Sequence, residues 1–141
     1  MSLLNSLSLR ISVIFPVHPR TRKNINDLDK KLASSGKLQI VEPLRYKEFI
    51  ALEKNPKLVL TDSGGIQEET TYFHVPCLTL RPNTERPITI TQGTNELVSP
   101  ENAEEKVRFI LSGDWKQGKT PELWDGRTTN RIVDVLRMVA F

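Results

Sequence analysis

A chain of 141 residues has room for one domain with a real core, and its apolar content of 38% and charged content of 26% are ordinary for a globular protein. The formal charge of +3 is mild, and the basic residues are interspersed with acidic ones apart from Arg20, Arg22 and Lys23. With no RNA- or DNA-binding motif, nucleic acid is not an expected partner. No apolar run is long enough to span a membrane, and the N-terminus lacks the charged-then-apolar layout of a signal peptide. The single cysteine, Cys77, has no internal disulfide partner, and no cysteine–histidine cluster has metal-ligand spacing. The expectation is therefore a cytoplasmic protein without a metal, with Cys77 a buried strand thiol.

In chain order, the β-branched and aromatic run at 11–15 predicts a strand that breaks at Pro16 and Pro19. Ile25, Leu28 and Leu32 predict a helix over 24–34, closed by Gly36. A second strand follows at 38–41, stopped by Pro43, and then a helix over 46–54 with Phe49, Ile50 and Leu52 inward. A third strand covers 57–61, a helix 66–74 and a fourth strand 76–80. Beyond these come a short helix over 84–92, a short strand at 97–98 and a helix over 103–111. The polar, Gly- and Pro-bearing stretch 112–126 reads as a loop. The last helix, 127–139, carries Ile132, Val135, Leu136 and Val139 on one face. Strands alternating with helices in this way imply an α/β fold with a parallel sheet flanked by helices.

The most informative stretch is Thr61-Asp62-Ser63-Gly64-Gly65-Ile66-Gln67-Glu68-Glu69. A strand that ends in Ser-Gly-Gly and turns directly into a helix makes an anion seat. The glycines let backbone N–H groups approach a ligand, and the helix N-terminus adds about half a positive charge. Carboxylates one turn further in are placed to accept from sugar hydroxyls, so phosphate and ribose together suggest a nucleotide. The plain alternative is an ordinary turn with Ser63 as N-cap and the glutamates complementing the helix dipole. In parallel α/β sheets ligands sit beyond the carboxyl ends of the strands. Three polar clusters fall there: Val17-His18-Pro19-Arg20, Asp62-Ser63-Gly64-Gly65, and Arg81-Pro82-Asn83-Thr84-Glu85-Arg86. Their convergence favours a binding site.

Four ordered blocks, Phe15-Pro16-Val17-His18-Pro19-Arg20-Thr21-Arg22, Glu42-Pro43-Leu44, Asp62 to Glu69, and Asn83-Thr84-Glu85-Arg86-Pro87, resemble the non-hydrolysing UDP-N-acetylglucosamine 2-epimerases. That resemblance implies a Rossmann-like half of a glycosyltransferase-B fold, covering nearly the whole chain from about Ile11. It implies the C-terminal half alone, one incomplete nucleotide-sugar-binding domain over 1–141. The N-terminal domain with the acidic residues of the proton chemistry is then missing, as are the opening strand and helix of this half. His18 matches the strand after that opening segment, not the histidine of the family's His-Arg-x-x-Asn motif. In the family the opening strand lies between the strands that carry His18 and Ser63. Strand 11–15 is therefore expected to pair directly with strand 57–61, or another chain to supply the contact.

The same resemblance implies that Ser63, Gly64 and Gly65 hold the diphosphate of a UDP-sugar, that Glu69 accepts from the two ribose hydroxyls, and that Arg86 contacts the charged part of the ligand. Its fork suits a bidentate phosphate contact; the alternative is an ion pair with Glu85 or another surface carboxylate. Glu68 is read as a helix-surface glutamate. Phe49 occupies the position whose backbone meets uracil, while its side chain can belong to the core; Leu44 stands where many members carry a glutamine. His18 either lines a second UDP-sugar site or is a structural histidine bonded to the neighbouring loop, and His74 is read as ending a helix. The family's reaction inverts the sugar at C2 by proton removal, departure of UDP and return of both on the opposite face. No catalytic residue is expected within this chain, and no cofactor. UDP or UDP-N-acetylglucosamine, the missing N-terminal domain and further copies in a homo-oligomer are the implied partners. A stand-alone nucleotide-sugar-binding module or subunit, or a glycosyltransferase of the same fold, are the alternatives.

Overall fold

Leu3, Leu4 and Leu7 recur at helical spacing, and in the computed structural model, which describes residues 1–25 and 37–139, they lie in a helix, α1 (Ser2–Ser8), that buries Leu7 and Ser8. Strand β1 (Val13–Pro16) follows, then a short helix α2 (Pro19–Arg22), strand β2 (Leu38–Val41) and helix α3 (Tyr46–Glu53). The second part of the chain runs β3 (Val59–Thr61), α4 (Gly64–Phe73), β4 (Cys77–Thr79), α5 (Pro87–Thr91), β5 (Asn95–Leu97), α6 (Ala103–Leu111) and α7 (Thr128–Val139). The helix expected over 24–34 falls, from residue 26 on, outside the described residues, as does Gly36. The leucine spacing of α1 closes a helical turn, and the helix packs on β1 and β2.

The chain divides into two compact units, 1–52 and 53–141. In the first, β1 and β2 pair in parallel with Val13 opposite Leu38 and Phe15 opposite Ile40. Val17 and Leu38 are buried there, and Lys37 N–H donates to the Ser8 carbonyl to tie the end of α1 to the start of β2. In the second unit β3, β4 and β5 form a parallel sheet in that order, with Leu60 opposite Leu78 and Leu78 opposite Glu96. All three residues of the central strand β4 are fully buried, as a parallel strand covered on both faces requires. Helix α6 adds Ala103, Val107 and Ile110 to this core, an i, i+4, i+7 stripe.

The parallel pairing bears out the α/β reading, but the strands fall in two sheets rather than one. The expected direct pairing of strand 11–15 with strand 57–61 is not found among the described residues: β1 is laddered to β2, and β3 to β4.

The stretch after α6 carries no helix or strand up to α7, as expected, yet it is fastened to the second unit. Trp115 Nε1 donates to Thr94 O at 2.8 Å, Lys119 N–H to Gln92 O at 2.7 Å, and Lys116 Nζ to the carbonyls of Ile90 and Asn95. Gly118, at φ 64°, lies so close over Gly93 and Thr94 that a β-carbon would come within 2.8 Å of the Gly93 backbone. The stripe expected on α7 does lie in a helix, but that helix buries none of its residues: Ile132, Val135, Leu136 and Val139 are 54% to 78% exposed.

Candidate functional site

The turn after β3 forms as its sequence implies. Ser63 takes the N-cap position in extended backbone (φ −89°, ψ 132°), its N–H donates to Thr61 Oγ1 at 3.0 Å, and α4 starts at Gly64. Its side chain makes no capping hydrogen bond, so the first-turn amides of α4 keep the character of an anion seat. Gly64 faces the Glu85 carboxylate closely enough that a β-carbon would meet Oε1 at 2.4 Å. Glu85 is in turn paired to Arg81 at 3.1 Å, and its carboxyl is held below the usual range by a backbone hydrogen bond and by Arg81 and Arg86.

Arg86, the N-cap of α5, sends Nε to Glu68 Oε1 at 3.2 Å. The alternative considered for it, an ion pair with a surface carboxylate, is thus realised, with Glu68 as partner; both side chains are about two-fifths exposed. The guanidinium therefore lies against α4 one turn from the Ser63-Gly64-Gly65 turn. A network of buried side chains holds this arrangement. Gln67 is fully buried; its amide donates to Ser63 O at 3.3 Å, and its Oε1 accepts from Thr84 Oγ1 at 2.6 Å and Asn95 Nδ2 at 3.1 Å. Thr84 Oγ1 accepts the Arg86 N–H at 2.9 Å, Thr89 Oγ1 donates to Arg86 O at 2.7 Å, and Asn95 bonds both Thr89 and Thr79. One glutamine thus joins the glycine turn to the arginine segment. Sequence reasoning passed over Gln67 and Asn95; the signal was polar residues, Gln67, Thr70 and Thr71, occupying the buried face of a helix.

Glu69 is half-buried on α4. Against it lies Glu53, the last residue of α3 and the first of the second unit, only 3% exposed. Neither Glu53 carboxyl oxygen receives a hydrogen bond from any donor. Burial, then the neighbouring Glu69 charge, pushes the Glu53 carboxyl from 4.5 up to about 8. The sequence reading expected Phe49, Ile50 and Leu52 to be the inward residues of this helix. They are only partly buried, and the buried residue is Glu53, at i+4 from Phe49 and i+3 from Ile50. Cys77 is buried as expected, and burial pushes its thiol up to about 11.

In the first unit, His18 caps α2: its Nδ1 accepts the Arg20 N–H at 3.3 Å. The Phe49 N–H donates to Arg45 O at 2.9 Å, at the N-terminal end of α3. His74 ends α4 as expected, in left-handed backbone (φ 57°, ψ 31°), with Nε2 3.1 Å from Thr120 Oγ1. Of the expected ligand-binding residues, the second unit brings together Ser63, Gly64, Gly65, Glu69 and Arg86; Phe49 and His18 belong to the first. Among the described residues no cluster of His, Cys, Asp and Glu could hold a metal ion, and no helix is long and apolar enough to cross a membrane.

Residues 1–137 match the family described as UDP-N-acetylglucosamine 2-epimerase. The chain belongs to that family. It is 44% identical over 129 residues to a UDP-N-acetylglucosamine 2-epimerase of Methanocaldococcus jannaschii, a match covering 89% of this chain and 35% of that protein. It is 43% identical over 139 residues to a UDP-2,3-diacetamido-2,3-dideoxy-D-glucuronate 2-epimerase of Pseudomonas aeruginosa, covering 94% of this chain and 37% of that protein. A crystal structure of the M. jannaschii UDP-GlcNAc 2-epimerase in complex with UDP-GlcNAc and UDP superposes with a TM-score of 0.76, at 40% identity over 97% of this chain and 38% of that one. The parallel sheets and flanking helices match a portion of that family's glycosyltransferase-B-like fold. Family members are UDP-N-acetylglucosamine 2-epimerases, that is, isomerases. The chain spans little more than a third of the length of these relatives.

Proposed function

We propose that this chain is the UDP-binding part, the C-terminal half, of a 2-epimerase acting on a UDP-linked 2-acetamido sugar. In this reading Ser63, Gly64 and Gly65 take the diphosphate and Glu69 accepts from the ribose hydroxyls. Arg86 exchanges Glu68 for phosphate, a better bidentate partner. The Glu85 carboxylate, which lies over Gly64, moves aside for the diphosphate. The observation that carries the reading is the Arg86 guanidinium held against Glu68 of α4 and tied through Gln67 to the glycine turn, in a family whose relatives bind UDP and UDP-GlcNAc.

The proton chemistry at C2 belongs, in this proposal, to the N-terminal domain that relatives carry. Helix α7 supports a partner outside this chain, because a stripe of six large apolar residues lies exposed on it. By itself the chain binds the leaving group and does not turn over.

Titration calorimetry of UDP into the chain, with Glu69→Ala and Arg86→Ala alongside, tests the assignment. Each substitution removes a hydrogen-bonded charge and is expected to weaken UDP binding by about tenfold or more. A folded chain that ignores UDP, or binds it equally well without both side chains, would sink the assignment. The sugar is a separate question. Relatives of nearly equal identity act on UDP-N-acetylglucosamine and on a UDP-diacetamido-glucuronate. Competition between these two nucleotides for the chain joined to its N-terminal partner separates the two substrates.

A further inference from the structure

We propose that Glu53, buried against Glu69 with both carboxyl oxygens unpartnered, is the positioning residue that aims the Glu69 carboxylate at a ligand's vicinal hydroxyls. The inference rests on the reading of Glu69 as the ribose partner and adds a residue to it.

The geometry carries the argument. Glu53 is sealed from solvent, and neither of its oxygens accepts from an amide, a hydroxyl or a cation. An ionised carboxylate in such a place has lost its water and gained nothing in return. The group facing it is another carboxylate, Glu69. Two ionised carboxylates at hydrogen-bond reach repel strongly, whereas one shared proton turns the same contact into a short, charge-assisted bond. Being less exposed, Glu53 keeps the proton and donates to the Glu69 carboxyl. The other titratable group facing Glu53 is Cys77 of β4, whose thiol burial keeps neutral and which Lys116 faces in turn. The bond fixes the rotamer of Glu69 and leaves its remaining lone pairs for two neighbouring hydroxyls. Glu53 touches no ligand in this arrangement and acts only through Glu69. The raised carboxyl of Glu53, near 8, agrees with this assignment and gives it a pH signature.

Two measurements on the full chain decide it. Carboxyl NMR with labelled glutamate follows Glu53 and Glu69 separately from about pH 5 to about pH 9. UDP binding is measured over the same range for the unaltered chain and for Glu53→Gln, whose amide remains a donor at every pH. Both proteins meet the same ligand, so titration of the nucleotide itself cancels in the ratio. The expected result is that Glu53 stays protonated through neutrality. The unaltered chain then loses affinity by about tenfold relative to Glu53→Gln as Glu53 titrates. Finding Glu53 ionised at neutral pH overturns the proposal whatever UDP does, and needs no variant that folds. Finding it neutral, with both proteins following one pH curve, overturns the positioning role. If neither protein binds UDP at any pH, the ribose reading of Glu69 fails and takes the positioning role with it. The NMR titration still reports the shared proton separately.

Discussion

Helices α4 and α7 make opposite use of their sequences. Helix α7 has the clearest apolar stripe in the second unit, Ile132, Val135, Leu136 and Val139, and buries none of it. Helix α4 buries Gln67, Thr70 and Thr71, residues that no hydrophobic pattern would place inside. The difference teaches that an amphipathic stripe states a need for a partner, not that the chain contains one. A polar face can be the more firmly held when each group finds its mate. On α4 the mates are those that place Ser63 and Arg86, so the network that specifies the packing also specifies the site.

The comparison can be broken at several points. The largest effect is expected from Asn95→Ala. It strips a fully buried amide from Thr79, Thr89 and Gln67 and leaves polar groups unmatched, which costs about 3 kcal/mol or more in urea unfolding. A cost below about 1 kcal/mol would mean the network is ornamental to the fold.

Next comes Glu53→Gln. With the folded carboxyl near 8 and the ordinary value at 4.5, the native chain keeps a proton that the unfolded chain has released between those values. Stability therefore falls as pH rises through that window and levels off above it. Glu53→Gln removes the slope, and is expected to gain roughly 2 to 4 kcal/mol over the parent near pH 8 and little near pH 5. Parallel curves of stability against pH for the two proteins would contradict the neutral acid.

Two matched valines give the smaller effects. Val107→Ala on α6 empties a site that is 2% exposed and should cost about 2 kcal/mol. Val135→Ala on α7, at 58% exposure, should stay within about 0.5 kcal/mol in the same assay. If Val135 cost as much as Val107, the face of α7 would be covered in solution by something, and the oligomeric state measured beside it would say whether that is a second copy.

Much of the fold was legible in the residues. The bounds of β2 and α6 fall where Leu38–Val41 and Ala103–Leu111 put them, and the other described strands lie within one or two residues of expectation. The exceptions have physical causes. Helix α1 is a single pair of turns whose leucines resemble any apolar leader, and α2 is a four-residue turn nucleated by a histidine cap and Pro19. In the site, Ser63, Gly64 and Gly65 were readable because a strand-to-helix turn needs them. Gln67, Asn95 and Glu53 were not, since their partners lie up to 28 residues away.

What the sequence determined by itself is local: periodicity set the helices and strands, and the glycine turn set where an anion can sit, because both depend on neighbours in the chain. Only the tertiary structure decided that the strands divide into two sheets, that Arg86 meets Glu68, and that Glu53 is buried against Glu69. Those outcomes depend on which groups are brought together and sealed from water. Burial raises the stakes of every polar contact, and a linear pattern of residues does not record it.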